Sequence, residues 1–354
     1  MNVFRPLSTV EQLAAHLRGK ILSGGLGDTM PGVNRLAGML GVSPKTVTAA
    51  VKQLQREGML QGRGPRRRSR TLVPDTIVLP ALRVKILAYE RSDCATHYLL
   101  NLQHLLMEAG HTVDFAQKTL LDLGMDTKRV ARMVDETGAD AWVIFGGSRE
   151  VLEWFAEQTV SAFAVFGQRR TVRIASSGPD KEPALRDGMR RLVALGHRRI
   201  VMLLREEQRK PQPGSFGRAF LEELAAQGLP TSSYNLPNWK DSAEEFRNCL
   251  DSLFQITPPT ALIVDEAFLF NVAQQHLARC GIRAPEQVSL ICNDPDPIFS
   301  WLHPTIAHIH WDSEQVVRHV VRWAAKVSRG TDDRRRAFTK AVFVEGGTIG
   351  PARG

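Results

Sequence analysis

Lys45, Thr48, Lys52 and Arg56 recur at i, i+3, i+7 and i+11. On a helix that spacing puts two ammonium groups, a guanidinium and a hydroxyl on one face. Such a face suits a polyanion, held by charge and by hydrogen bonds. The plainer alternative for a basic stripe on a short amphipathic helix is a solvated surface, and the elements around the stripe must decide between them. Ser43-Pro44 reads as a helix start, because a serine oxygen caps the first free amides and a proline at the first helical position has no amide to lose. Val47, Ala50, Val51 and Leu54 supply the apolar stripe opposite the charges.

The neighbouring residues complete a module. Leu36, Ala37 and Leu40 form the apolar side of a second short helix, and Gly41-Val42-Ser43 is a three-residue turn of the kind that joins the two helices of a helix-turn-helix. Upstream, Val10, Leu13, Ala14, Leu17 and Ile21 predict a longer helix ending at Ser23-Gly24-Gly25. After the third helix, residues 59–61 and 68–73 are short extended candidates around the turn Gly62-Arg63-Gly64-Pro65, a hairpin with a basic tip. The charge follows this division. Residues 1–70 hold 12 Lys and Arg against 3 Asp and Glu, while the remaining 284 balance at 34 against 34, so the whole net charge of +9 resides in the first module.

Residues 10–73 resemble the winged helix-turn-helix of the GntR family of bacterial regulators. Met30-Pro31, Leu36-Ala37, Leu40-Gly41-Val42-Ser43, Thr46-Val47 and Leu54-Gln55-Arg56-Glu57-Gly58-Met59-Leu60 carry the likeness. The resemblance implies double-stranded DNA as partner. Arg35, Ser43, Lys45, Thr46 and Thr48 would then lie where base edges are read in the major groove, with Lys52 and Arg56 nearer phosphate. Arg63, Gly64, Arg66 and Arg67 of the wing suit a narrow minor groove. Three places that hold arginine in that family carry Asn34, Pro44 and Thr48 here.

Beyond a two-proline connector the pattern changes. The reading assigns 1–73 to the DNA-binding domain, 74–82 to a linker and 83–349 to a body. Apolar runs at 84–88, 112–115, 141–145, 162–166, 200–204, 261–264 and 288–292 alternate with helical stretches, which predicts an α/β domain of parallel strands covered on both faces. Such sheets bind ligands at the carboxyl ends of their strands.

This region resembles the effector domain of the LacI/GalR repressors, which has the two-lobed fold of periplasmic sugar-binding proteins. The likeness rests on Leu195-Gly196-His197-Arg198-Arg199-Ile200, on Pro259-Thr260-Ala261-Leu262-Ile263 leading to Gly281-Ile282-Arg283-Ala284-Pro285, on Leu302-His303-Pro304-Thr305-Ile306, and on Glu345-Gly346-Gly347-Thr348-Ile349. It implies an effector cleft between two lobes, with Asp294 accepting hydrogen bonds from the ligand and Trp239 near a position where a ring can stack. The loop Glu90-Arg91-Ser92-Asp93, after the first strand, would form the other wall, with Ser92 and Asp93 as its ligand-facing residues. The aspartate of that family after the strand 261–264 is replaced by Ala267, leaving Asp265 and Glu266 just before it, and Ser215-Phe216 stands where an arginine is usual. The hinge helix of LacI-type heads is also lacking.

Other classes fit less well. His308 and His310 face one side of a strand as two metal ligands might, but no third ligand of convincing spacing follows. Cys94, Cys249, Cys280 and Cys292 are scattered, read as small buried thiols with neither a disulfide framework nor a metal spacing. No nucleophile elbow, P-loop, H-E-x-x-H or dinucleotide fingerprint occurs. GntR-like heads are also found on pyridoxal-phosphate-dependent, aminotransferase-like bodies, but those need a longer chain and a Schiff-base lysine. No apolar run approaches a bilayer span and no leader pattern opens the chain, so the expectation is a cytoplasmic protein. The expected whole is a non-enzymatic, ligand-responsive repressor without cofactor or metal. It would act as a homodimer on a palindromic operator and respond to a small polar effector such as a sugar. A DNA-binding dimer whose body has lost its ligand is the alternative.

Overall fold

A computed structural model of the protein describes residues 9–22, 30–56, 60–61, 70–71 and 80–353. The chain forms two compact units, one of residues 1–83 with 105–113 and 322–333, the other of residues 84–104 with 114–321 and 334–354.

The N-terminal segment contains α1 (Thr9–Leu22), α2 (Val33–Leu40) and α3 (Pro44–Arg56), followed by β1 (Leu60–Gln61) and β2 (Arg70–Thr71), which pair antiparallel. The apolar stripes of the three helices meet in one core: Leu13, Leu17 and Ile21 from α1, Leu36 and Ala37 from α2, and Val47, Ala50 and Leu54 from α3, with Leu60 closing it. Burying each large aliphatic side chain contributes about 1.5–3 kcal/mol, which is how a short stretch can hold three helices. The turn between α2 and α3 depends on Gly41, whose φ of 63° ends α2 and returns its amide to the Ala37 carbonyl. The connector assigned to 74–82 lies outside the described residues up to position 79.

The rest of the chain alternates strand and helix: β3 (Arg83–Leu87), α4 (His97–Glu108), β4 (Thr112–Phe115), α5 (Thr127–Thr137), β5 (Ala141–Phe145), α6 (Arg149–Glu157), β6 (Ser161–Val165), β7 (Ala175–Asp180), α7 (Glu182–Ala194), β8 (Ile200–Leu203), α8 (Ser215–Ala226), α9 (Ala243–Ile256), β9 (Ala261–Val264), α10 (Ala267–Arg279), β10 (Ser289–Cys292), β11 (Ala307–Trp311), α11 (Ser313–Val327) and β12 (Arg336–Val344). The strands run in the order β4-β3-β5-β6-β7-β12-β11-β10-β9-β8. β12 joins two halves of this sheet. Residues 336–340 pair parallel with β7, and residues 341–344 pair antiparallel with β11. The result is a two-lobed α/β body whose chain passes between lobes after β7, after β11 and within β12.

All seven apolar runs expected as strands are strands, and except in the edge strand β4 their interiors are almost fully buried. The first lobe packs Trp142, Ile144, Leu152 and Phe155 between sheet and helices; the second packs Val201, Leu203, Phe246, Leu262 and Phe270. β7 and β12 have no counterpart among the expected strands. β7 reads ASSGPD, without an apolar run, yet Ser176 and Ser177 are buried between neighbouring strands. The sheet is parallel as expected except at β11 and β12.

Candidate functional site

The first candidate surface is built on α3. Ser43 stands just ahead of the helix, and its Oγ accepts from the Thr46 amide at 3.1 Å while lying 2.8 Å from the Thr46 hydroxyl. One of the four free amides of the first turn is thereby satisfied. Thr48 donates its hydroxyl to the Pro44 carbonyl at 2.8 Å, so only its oxygen lone pair and methyl remain to meet a partner. Lys45, Thr48, Lys52 and Arg56 are exposed, and Val47, Ala50 and Leu54 on the opposite side are buried. Arg35 on α2 is exposed and Thr46 is half-buried. Arg63, Gly64, Arg66 and Arg67 lie outside the described residues.

The second site gathers at the carboxyl ends of the strands of both lobes. Glu90, three residues past β3 in the first lobe, accepts from Arg205 Nη2 at 3.0 Å. Arg205 follows β8 in the second lobe and also donates Nε to Glu266 at 2.9 Å. Beside this bridge, Tyr89 donates its hydroxyl to Asp241 at 2.7 Å, again from one lobe to the other. Asp294, after β10, accepts from the Lys181 ammonium and, at 2.8 Å, from the Trp311 indole. Asn293 donates to the buried Asp265 at 3.1 Å.

Electrostatics follow from burying this many charges. Burial pushes the Glu266 carboxyl up to about 8, against the pull of Arg205, and pushes Asp265 up to about 6, against the pull of Lys181. Burial opposes the charge of Lys181 and of Arg205. Asp294 and Asp265 nevertheless hold the lysine above its ordinary range, and Glu266 and Glu90 do the same for the arginine. Four acids, Glu90, Asp265, Glu266 and Asp294, thus face two bases, which leaves a surplus of acceptors for a ligand rich in donors.

An aromatic cluster lies next to Asp294. Trp311 ends β11, Phe145 ends β5, Phe166 follows β6 and Tyr98 opens α4. Their ring centroids stand 5.2 Å (Phe166–Trp311), 6.0 Å (Tyr98–Phe166), 6.1 Å (Tyr98–Phe145) and 6.3 Å (Tyr98–Trp311) apart. Phe166 holds a left-handed backbone at φ 58°, a strain of about 1–3 kcal/mol that its neighbours must offset. Gly167 beyond it lies so close to Gly147 that a Cβ would come within 2.4 Å of the Gly147 carbonyl oxygen.

The residues expected from sequence are distributed unevenly over this site. Glu266 and Asp294 are in it. Ser92 donates to Glu90 at 2.6 Å, and Asp93 accepts from the Glu90 amide at 3.0 Å, so the two fold the loop that presents Glu90. Burial raises the Asp93 carboxyl. Trp239 is corrected: it is 5 % exposed, lies 4.9 Å from Phe246 in the second-lobe core and is covered by Arg209. Its surroundings are apolar residues of α9 and β8, which absorb the ring. The aromatic beside Asp294 is Trp311. Glu90 belongs to the loop expected as the other wall; sequence reasoning misses Tyr89, Lys181, Arg205 and Trp311, although each stands at or just after the end of a strand, where open α/β sheets place ligands.

Comparison with known proteins agrees with this geometry. Residues 9–71 match the family described as bacterial regulatory proteins, gntR family, and residues 189–349 match the periplasmic binding protein-like domain. No curated protein sequence matches the chain. Among solved structures, the transcriptional regulator CelR in complex with cellobiose is similar over 97% of this chain and 100% of its own, at 18% identity and a TM-score of 0.61. The lac repressor dimer bound to operator and the anti-inducer ONPF aligns over 76% of this chain and 94% of its own, at 16% identity and a TM-score of 0.61. The Escherichia coli transcriptional repressor ascG aligns over 76% and 99%, at 16% identity and a TM-score of 0.57. These identities establish the fold of the body. The chain joins a GntR-type helix-turn-helix head to a periplasmic-binding-protein-like body that shares its fold with these repressors, and is a DNA-binding transcriptional regulator.

Proposed function

We propose that this regulator is a homodimeric repressor that binds a palindromic operator and is released by a small polar effector held between the lobes of its body. The division at 1–73, 74–82 and 83–349 belongs to the same reading. The observation that carries DNA recognition is the exposed face of α3, where Lys45, Thr48, Lys52 and Arg56 stand opposite the buried Val47, Ala50 and Leu54. One such domain covers a half-site too short for tight, specific binding, and a two-fold dimer doubles the contacts. Lys45 and Thr46 are assigned to base edges, Lys52 to phosphate, and Arg63 and Arg66 to the minor groove.

The acid surplus around Asp294 and the aromatic rings beside it favour a ligand with several hydroxyl or amino donors and a flat or C–H-rich face, such as a sugar or nucleoside. Effector and operator are then linked, each changing the other's affinity by the same factor, with a coupling of about 1–3 kcal/mol. A second reading, a body that no longer binds a ligand, is favoured by one observation: Lys181 and Arg205 already pair with the acids of the cleft.

Selection of bound genomic fragments, followed by operator titration with and without a library of sugars and nucleosides, tests both. A symmetric site occupied by a dimer and released by one library member supports the proposal. A monomer on an asymmetric site overturns it, and no response to any compound, with no rise in melting temperature, favours the ligand-free body.

A further inference from the structure

Asp251 stands on α9, and His276 and Cys280 stand four residues apart at the end of α10. That spacing puts the imidazole and the thiol on one face, although the scatter of the cysteines along the chain suggests only small buried thiols. Cys280 is exposed, and Asp251 and His276 are half-buried. His276 Nε2 lies 2.7 Å from Asp251 Oδ1 and 3.9 Å from Cys280 Sγ, and the donor atoms of all three fall within 4.8 Å of one another. They border a surface cavity of about 210 Å³ shared with Leu250, Phe254 and Ile282.

Both partners converge on the same ring nitrogen. In a catalytic relay the acid and the nucleophile address opposite nitrogens of the imidazole. Here a single Nε2, with one proton or one lone pair, faces a carboxylate and a thiol together and can satisfy one of them. A divalent cation at that point serves all three as imidazole, thiolate and carboxylate ligands. Bonds of about 2.0–2.3 Å at tetrahedral angles separate ligand atoms by roughly 3.3–3.8 Å. The nitrogen–sulfur separation is close to this. The nitrogen–oxygen separation is shorter because a proton now occupies the gap, and the carboxylate swings aside as the ion replaces that proton. The C-terminal end of a helix, where carbonyl groups lack partners, also favours a cation.

We propose that Asp251, His276 and Cys280 form a zinc-binding site on the second lobe, with three protein ligands and a fourth position open to solvent. The mixed nitrogen, sulfur and oxygen donor set suits zinc among the common divalent ions. Binding releases the thiol proton and the proton shared by His276 and Asp251, so affinity rises with pH. The ion ties α10 to α9, and α10 carries Glu266 at its opposite end as the N-cap residue.

The test is a titration of the reduced, full-length protein with cobalt(II) as a spectroscopic stand-in, followed by zinc. One equivalent of cobalt should produce a thiolate-to-metal charge-transfer absorption that an equivalent of zinc abolishes. Cys280→Ser should lose that absorption with an unchanged circular-dichroism spectrum, and His276→Ala and Asp251→Asn should each weaken zinc binding at least tenfold in competition with a chelating dye. The absence of a charge-transfer band in the parent protein overturns the proposal, and so does a band of full strength in Cys280→Ser.

Discussion

Arg205 of the second lobe reaches Glu90 of the first at 3.0 Å while holding Glu266 of its own lobe at 2.9 Å, with its side chain only 7 % exposed. One guanidinium therefore donates to an acid on each side of the cleft. Its fork of donors makes this geometry possible, and a lysine, a single point charge, could not bridge two carboxylates in the same way.

Removing that bridge leaves Glu90 and Glu266 without the buried donor they share. Arg205→Ala is expected to lower the stability of the body by about 3 kcal/mol, as when one partner of a buried pair is deleted. It should also open the lobes. Urea unfolding and the radius of gyration from small-angle scattering report the two effects. An unchanged midpoint and an unchanged radius would show that the pair adds nothing to closure.

The carboxyl of Glu266, raised to about 8, makes a pH prediction with a definite sign. A folded-state pKa above the ordinary value contributes stability that is fully present below about 4.5 and is lost as pH rises through 8. Wild-type protein should therefore lose more stability than Glu266→Gln between pH 6 and 9. The difference is bounded by about 1.4 kcal/mol per pH unit for one group. Parallel stability–pH curves for the two proteins would contradict the assignment.

On the head, Ser43→Ala deletes the acceptor that caps α3 and should cost about 1 kcal/mol in thermal unfolding of the domain. Operator affinity should fall with it, because the cap sets the start of the helix that presents Lys45 and Thr46. Ser43→Asp, which caps equally well but adds a negative charge beside the DNA, should restore stability without restoring binding.

Lys45 and Lys52 separate two kinds of contact. Lys45→Ala is expected to cost about 1–3 kcal/mol on the operator and to relax base preference. Lys52→Ala should weaken all sequences alike and lower the salt slope by about 1. Binding measured at four salt concentrations, on operator and on unrelated duplex, distinguishes them. Identical behaviour of the two variants would remove the division between base and phosphate roles.

At the cleft, Asp294→Asn keeps the size of the side chain but gives up the charge that pairs with Lys181. Operator binding should persist while the response to the effector falls at least tenfold. Trp311→Phe, which deletes the indole donor but keeps a ring, should reduce the response less. A normal response in Asp294→Asn would move the sensing site elsewhere.

Local chemistry decided the parts of this protein that are legible in its sequence. The head can be read residue by residue because its helices are short, its caps and turn lie within four positions of what they cap, and its charge is confined to one module. The apolar strands are legible for a related reason: a strand buried on both faces commonly reads as a near-continuous apolar run. Asp294 and Glu266 can be placed because each closely follows such a strand.

Contacts between distant residues were decided only by the tertiary structure. β7 is polar in composition and becomes a central strand because β6 and β12 flank it and satisfy its backbone, which no local pattern records. Trp239 and Trp311 look alike in sequence; one is absorbed by the core around Phe246, and the other is turned to Asp294 at the end of β11. The bridge from Arg205 to Glu90 joins residues 115 positions apart, and the approach of Asp251 to His276 joins residues 25 apart. Sequence spacing encodes what one helix turn or one strand can align. Packing of separate elements into two lobes decides which charges meet across the space between them.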